Sequence, residues 1–354
     1  KKIALRLDAE SAEAVSFGLY GLLQEKLGFR FVHPRDTVVP SHRSWPLADS
    51  FAWAAAPRFD KRGFHLHTLH PVELTEQLHD PDRRAALRDL QEYVDWLARN
   101  GQNLLQFYLL RSLDKERWPD HIRPLVEYAH ARGLRIGTEI SLFMLQQNAF
   151  QVLRLTDPCT PYLRQVDDTL AWLFQVPWDF VSVDFTLGEH LPDIGRLLPS
   201  VRAHLEREVT ERYGALFLDT THVIGDCPGS GSPRAGILIH SVMCYSILDQ
   251  GKPVYGKPDQ RHMLVRAFDE ARSREAWYWP ESSYWVAFDN SVPVLLLPYL
   301  EARLRDMDAV RRIGVVGHLT FTSGWEWGYW IIDWSVARWS WSYAGDDDQR
   351  SVLD

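Results

Sequence analysis

Cysteine is scarce in this chain of 354 residues: Cys159, Cys227 and Cys244 are the only three. They have no close metal-type spacing, and any disulfide scheme leaves one of them unpaired. That argues against a disulfide framework and favours a reduced, cytoplasmic compartment over a periplasmic or secreted one. A surplus of positive charge is also missing. The formal net charge is −8 and the basic residues are scattered, whereas binding nucleic-acid phosphates calls for a basic face. No apolar run approaches the ~20 residues of a membrane span. Neither nucleic acid nor membrane is therefore expected as a partner. The glycines form no phosphate loop of the P-loop or Rossmann kind, and no serine or cysteine stands in a recognisable nucleophile elbow. No cofactor is expected.

What the chain does have is apolar mass and tryptophan. With 45% hydrophobic residues it can bury a substantial core, and it carries 15 tryptophans, many near the C-terminus. Flat indoles fill cores; they also stack on the apolar faces of sugar rings. The chain opens on Lys1-Lys2 without a methionine and ends on Ser-Val-Leu-Asp, so a leader or further domains are expected beyond it.

Residues 1–50 read as part of a small α/β module. Ile3 to Leu7 is a short strand, and Ala12 to Lys26 is a helix with Ala14, Phe17, Leu22 and Leu23 on its apolar side and Gly28 as its C-cap. Phe29–Val32 follows, and Pro40, Pro46 and Pro57 mark a linker. The expected division is 1–50, a partial accessory domain with linker, and 51–354, a catalytic barrel. From Arg62 onward strands and helices alternate. The strands are GFHLHT (63–68), NLLQFYLL (103–110), LRIGTEIS (134–141), FVSVDF (180–185), ALFLDT (215–220), GILIHSVM (236–243), AWYWPE (276–281) and IGVVGHLTF (313–321). Most are followed by a helical segment; after the fifth a glycine-rich loop, Gly225 to Gly236, stands instead. Eight such units predict a (β/α)8 TIM barrel rather than an open doubly wound sheet.

In such barrels the strand C-termini form the active face. Their ends carry His65 and His67, Tyr108 and Arg111, Glu139, Asp184 and Glu189, Asp219 and His222, His240, Glu281, then Trp325 and Glu326. Carboxylates and aromatics dominate. Asp184 alternates with Val183 and Phe185, which puts it on the side of Ser182, facing inward.

Several segments together resemble glycoside hydrolase family 20, the β-N-acetylhexosaminidases, whose barrel also follows a small α/β domain. Lys61-Arg-Gly-Phe-His resembles the family's first-strand Arg-Gly motif, and the resemblance gives Arg62 the role of gripping sugar hydroxyls. Tyr93-Val-Asp-Trp-Leu-Ala-Arg-Asn-Gly-Gln-Asn-Leu-Leu-Gln-Phe-Tyr-Leu109 resembles the helix leading to the second strand. Val126-Glu-Tyr-Ala-His-Ala-Arg-Gly-Leu-Arg-Ile-Gly-Thr-Glu-Ile140 resembles the segment ending in Pro-Glu-Ile. The likeness covers most of residues 12–190 and is weaker beyond. Two departures stand out. The family's fourth-strand signature, His-x-Gly-Gly-Asp-Glu, corresponds here to Asp184-Phe-Thr-Leu-Gly-Glu189: the glutamate, the family's general acid, is Glu189, but the aspartate that orients the substrate's acetamido group is Gly188. The second strand has Gln106 and Tyr108 where the family has histidines. A distant relative is implied, of the wider group that joins an α/β domain to a barrel, with no reliance on a 2-acetamido group.

Glycoside cleavage needs two carboxyl groups flanking the bond, one protonated and one ionised. Glu189 is the expected acid and Glu281, in Trp277-Tyr-Trp-Pro-Glu-Ser, its partner; Asp184 orients Glu189, binds a hydroxyl or acts as the base. Arg62, His65, His67, Tyr108, Glu139, His240, Trp279, Trp325 and Glu326 are the candidate ligands of a carbohydrate substrate. Each has a blander reading. Glu189 precedes Pro192 and could sit at a helix N-terminus, where an anion is favoured; Glu281 could be a cap, Glu139 a buried partner of Arg62, and Trp325-Glu-Trp a packed lid. Two alternative functions stay open. His65-x-His67 with His222 and His240 could bind a metal in the manner of the amidohydrolases, although Thr320-Phe-Thr-Ser323 lacks the aspartate that layout wants at the eighth strand. The barrel could also bind carbohydrate without cleaving it.

Overall fold

The structure is a computed structural model and describes residues 4–69, 74–145, 147–154, 156–186, 198–221, 232–242, 244–254, 257–282, 297–324 and 330–343. Before the barrel come α1 (Ala12–Leu27), β1 (Arg30–His33), β2 (Asp36–Val38) and β3 (Ala55–Pro57). The helix starts where Ser11, in extended conformation, accepts the Ala14 amide, and it stops at Gly28, whose φ of 79° lets the chain reverse. The expected strand at Ile3–Leu7 does not form: residues 4–9 belong to no helix or strand.

Eight parallel strands then close on themselves: β4 (Lys61–Leu66), β5 (Leu104–Tyr108), β6 (Arg135–Ser141), β7 (Phe180–Asp184), β8 (Leu216–Thr221), β9 (Gly236–Ser241), β10 (Ala276–Pro280) and β11 (Gly317–Thr322). The ring closes through β11 and β4, with Phe321 opposite His65. This is the expected (β/α)8 barrel. Its outer helices are α2 (Thr75–His79), α3 (Leu87–Arg99), α4 (Trp118–His130), α5 (Tyr162–Leu173), α6 (Pro199–Arg207), α7 (Arg261–Ala271), α8 (Pro298–Arg312) and α9 (Trp330–Trp339), with β12 (Trp341–Tyr343) pairing back onto β3. No described helix is long and apolar enough to cross a membrane.

The strands read as almost unbroken apolar runs because both faces are buried. Phe64, Leu66, Phe107, Ile136, Ile140, Val181 and Val183 face the helices and share one cluster with Leu90, Val94 and Leu97 of α3. Leu104, Phe180, Leu218, Leu238, Trp277 and Leu319 alternate with them and fill the barrel interior. Small residues make room for the large ones. A Cβ on Gly137 would lie 2.3 Å from the Phe180 ring, and one on Gly63 would lie 2.1 Å from the Leu104 carbonyl oxygen. The packing of the interior, more than any turn, requires glycine there.

The N-terminal segment lies on this scaffold. Phe31 of β1 accepts hydrogen bonds through its carbonyl from Trp96 Nε1 (2.9 Å) and Asn100 Nδ2 (3.0 Å), and Glu25 of α1 pairs with Arg338 of α9.

Candidate active site

Strand parity decides which side chains share the barrel interior. His65 and His67 of the first strand, Gln106 and Tyr108 of the second, and Glu139 of the third lie near its C-terminal end. So do Ser182 and Asp184 of the fourth, His240 of the sixth, Trp279 of the seventh and Phe321 of the eighth. Register places Tyr108 beside Glu139, Glu139 beside Ser182, and Trp279 beside His240.

A hydrogen-bonded chain links three strands. His65 Nδ1 stands 2.8 Å from Gln106 Oε1, and Gln106 Nε2 donates to Ser182 Oγ at 2.7 Å. An amide oxygen can only accept, so the imidazole proton sits on Nδ1 and Nε2 is the bare acceptor. His65 is fully buried, and the loss of water holds its pKa down at about 3. It is neutral.

Glu139 is equally buried, with its Oε2 3.6 Å from His65 Nδ1, whose proton is given to Gln106. Burial first and the Asp184 charge second push the Glu139 carboxyl well above the usual carboxylate range; the Tyr108 and Ser182 hydroxyls offset only part of this. Burial thus favours its protonated form. Asp184 ends its strand in a tight turn in which Oδ1 accepts from the Thr186 amide at 2.7 Å and the Thr186 hydroxyl at 2.8 Å, bonds that favour the anion. Two acids from adjacent strands thus meet inside the barrel, Glu139 raised by burial and by its neighbour, Asp184 bonded to its own turn.

On the other side of the barrel, His240 donates from Nδ1 to the Trp279 carbonyl (2.9 Å), which leaves Nε2 facing Glu281 Oε1 at 3.7 Å. Glu281, 13% exposed at its side chain, is the most open of these carboxyls. An aromatic wall joins the two halves: the Phe321 ring lies parallel to His65 at 5.9 Å and 3.9 Å from His67, and Trp279 lies 5.2 Å from His65 and 4.5 Å from His240. From the loop after β6, Met144 and Ala149 join the interior cluster.

The expected site residues therefore sort unequally. His65, His67, Tyr108, Glu139, Asp184, His240, Trp279 and Glu281 come together. Trp279 is 1% exposed and packs inside the barrel rather than standing open as a platform. Arg62 lies elsewhere: its guanidinium donates to the carbonyls of Phe59 and Gly101 and lies 4.7 Å from the Trp341 ring, at the N-terminal end of the strands. It is not the partner of Glu139. Asp219 faces outward between Arg202 and Arg274, 2.7 Å from Arg274 Nη1, where it ties the barrel to its helices. Glu189, His222, Trp325 and Glu326 lie outside the described residues, as does Gly188. Among the described residues His65, His67 and His240 do not bring three ligand atoms within 4.8 Å of one another; the one group that does is Asp167, His204 and Glu208 on the outer helices. Sequence reasoning turned Ser182 inward with Asp184 without giving it a role, and it missed Phe321, although the same period of two also places that ring.

No known protein-family profile matches the chain, and no curated protein matches it in sequence. Solved structures do. A GH138 enzyme targeting pectin rhamnogalacturonan II superposes with a TM-score of 0.53 at 12% identity, over 83% of this chain and 40% of its own. A β-N-acetylhexosaminidase from Bacteroides fragilis superposes with a TM-score of 0.50 at 11% identity, over 84% of this chain and 68% of its own. The chain thus spans two-fifths of the first enzyme's length. These likenesses establish the fold class: a (β/α)8 barrel of the kind glycoside hydrolases use.

Proposed function

We propose that the chain is a glycoside hydrolase acting on a carbohydrate substrate, with residues 51–354 as the catalytic barrel and 1–50 as a partial accessory domain. The observation that carries this reading is the gathering of Glu139, Asp184 and Glu281 with an aromatic wall at one end of a closed parallel barrel. In this reading Glu189, five residues beyond Asp184, is the general acid that protonates the leaving oxygen. Glu281 is its partner across the mouth, as nucleophile or as base for a water. Asp184 orients the acid or binds a hydroxyl. His67, His240, Trp325 and Glu326 contact the sugar, and the protein carboxylate replaces any help from a 2-acetamido group.

The test is hydrolysis of a panel of aryl and alkyl glycosides by the purified chain. Glu189→Gln should lower turnover on unactivated glycosides roughly 10²–10⁴-fold, the usual contribution of a positioned acid, and should spare aryl glycosides with good leaving groups. Equal activity of Glu189→Gln and wild type on both kinds of substrate would refute the assignment. A Glu189–Glu281 separation of about 5–5.5 Å would go with retention of configuration, and ~6.5–9.5 Å with inversion.

A further inference from the structure

Behind Glu281, on the helix side of the barrel wall, lies a buried polar cluster that none of the chemistry above uses. Arg303 and Asp306 of α8 are both completely buried and face each other at 3.3 Å. A buried ion pair is hard to justify by stability alone, because desolvation cancels much of the attraction unless every group is bonded. Here the bonds go to particular places. Asp306 accepts from Tyr278 Oη at 2.7 Å, from the Ile247 amide at 3.1 Å and from the Ser246 hydroxyl. Arg303 spreads its fork over three chain segments: Nη1 donates to the Glu281 carbonyl (3.2 Å) and the Ser241 hydroxyl (3.4 Å), and Nη2 to the Tyr245 carbonyl (2.9 Å).

Those contacts lie where β9 and β10 end. Ser241 follows His240, and Glu281 follows the last residue of β10. On its other flank the same turn is fixed by Ser282, whose amide donates to the Phe321 carbonyl at 2.8 Å. The Glu281 backbone is thus gripped from α8 and from β11. We propose that Arg303 is a positioning residue: by holding the Glu281 carbonyl together with Ser241, it sets the Glu281 carboxyl against His240. The catalytic meaning of that placement rests on the glycosidase reading of Glu281; the placement itself is tested without a substrate.

The experiment follows the His240 imidazole by NMR titration in the full chain, its resonance assigned with His240→Gln. Glu281→Gln removes the facing carboxylate and should lower the His240 pKa by roughly one unit, as expected for loss of an opposite charge a few ångströms away. Arg303→Lys keeps the charge but cannot span three acceptors, and should reproduce at least half of that shift. Ser246→Ala loosens Asp306 without touching Ser241 or the Glu281 carbonyl, and should lower the melting temperature while leaving His240 unmoved. If Arg303→Lys does not fold, Arg303→Met with Asp306→Asn, which removes both buried charges together, takes its place. A His240 titration in the Arg303 variant identical to wild type overturns the proposal, and so does a Glu281→Gln variant without a shift. Absence of hydrolysis on every glycoside, with the His240 coupling intact, would sink the glycosidase reading and leave the role of Arg303 standing.

Discussion

Replacing Glu139 by Gln isolates one buried proton. In the folded chain the Glu139 carboxyl titrates well above its ordinary value of 4.5, through burial and the adjacent Asp184 charge; in the unfolded chain it titrates near that ordinary value. Between the two values the folded state holds a proton that the unfolded state has lost, so wild-type stability falls as pH rises through this window. The slope is about 1.4 kcal/mol per pH unit for a single proton. Glutamine is nearly isosteric with the protonated acid and does not titrate. Below pH 4.5 the variant and wild type should therefore be similar in stability. Above it the variant should gain on wild type by about 1.4 kcal/mol per unit, on the order of 2–4 °C in melting temperature for each kcal/mol. Buried groups away from Glu139 titrate alike in both proteins and cancel in the difference, while Asp184 has a neutral neighbour in both within this window. The assay is calorimetric melting of both proteins at half-unit steps from acid to neutral pH. Parallel curves would show that Glu139 is ionised in the folded state and would refute the electrostatic account of the barrel interior.

Acid should destabilise the chain for a separate reason: buried His65 and His318, with pKa values of about 3, and His79, with about 4, stay neutral in the fold. Their contribution is complete above the ordinary value of 6.5 and is lost as pH falls below it, a loss checked by melting curves and reduced in a His79→Gln variant. Gly137→Ala should cost about 1–3 kcal/mol in chemical denaturation, because its Cβ would strike the Phe180 ring. Asp219→Asn should cost about 3–5 kcal/mol by removing the buried anion that Arg202 and Arg274 share, with Glu270 left as the carboxylate beside Arg274. Any activity measured per folded molecule should survive that change, and selective loss of activity would return Asp219 to the active face.

Much of the barrel was legible because each strand is a short apolar run bounded by glycine or a helix cap, and each helix carries an apolar stripe. Ile3–Leu7 has the local pattern of a strand, yet a strand is completed only by a neighbour, and the described fold offers it none. Helix α9 escaped notice for the opposite reason. Ile332 through Trp339 are all buried, so no polar face reveals a helical period. The tryptophans that suggested sugar platforms include Trp96, Trp118, Trp178 and Trp277, which are packing residues. Within the site, alternation put Asp184 and Ser182 inside the barrel correctly. The same parity, counted from His65 and His67, turns Arg62 outward, and the family likeness pointed the other way. Arg303 and Asp306 left a trace in sequence as charges on the buried stripe of α8, between Tyr299 and Val310. Their destination in space was not readable, because it depends on β9 and β10 arriving from elsewhere in the chain.

The chain of donors from His65 through Gln106 to Ser182 has a sense of direction. With the imidazole proton on Nδ1, the Gln106 amide cannot turn over unless the His65 proton moves to Nε2 with it. The Ser182 proton is consequently free to point onward, toward Glu139, and every dipole along the row faces the same way. A glutamate at position 106 would be the same size and would end that sense, since it accepts at both ends. The two termini of the row are therefore chemically unlike: a lone pair on His65 at one, a carboxyl at the other. The interior of this barrel can tell left from right before any ligand arrives.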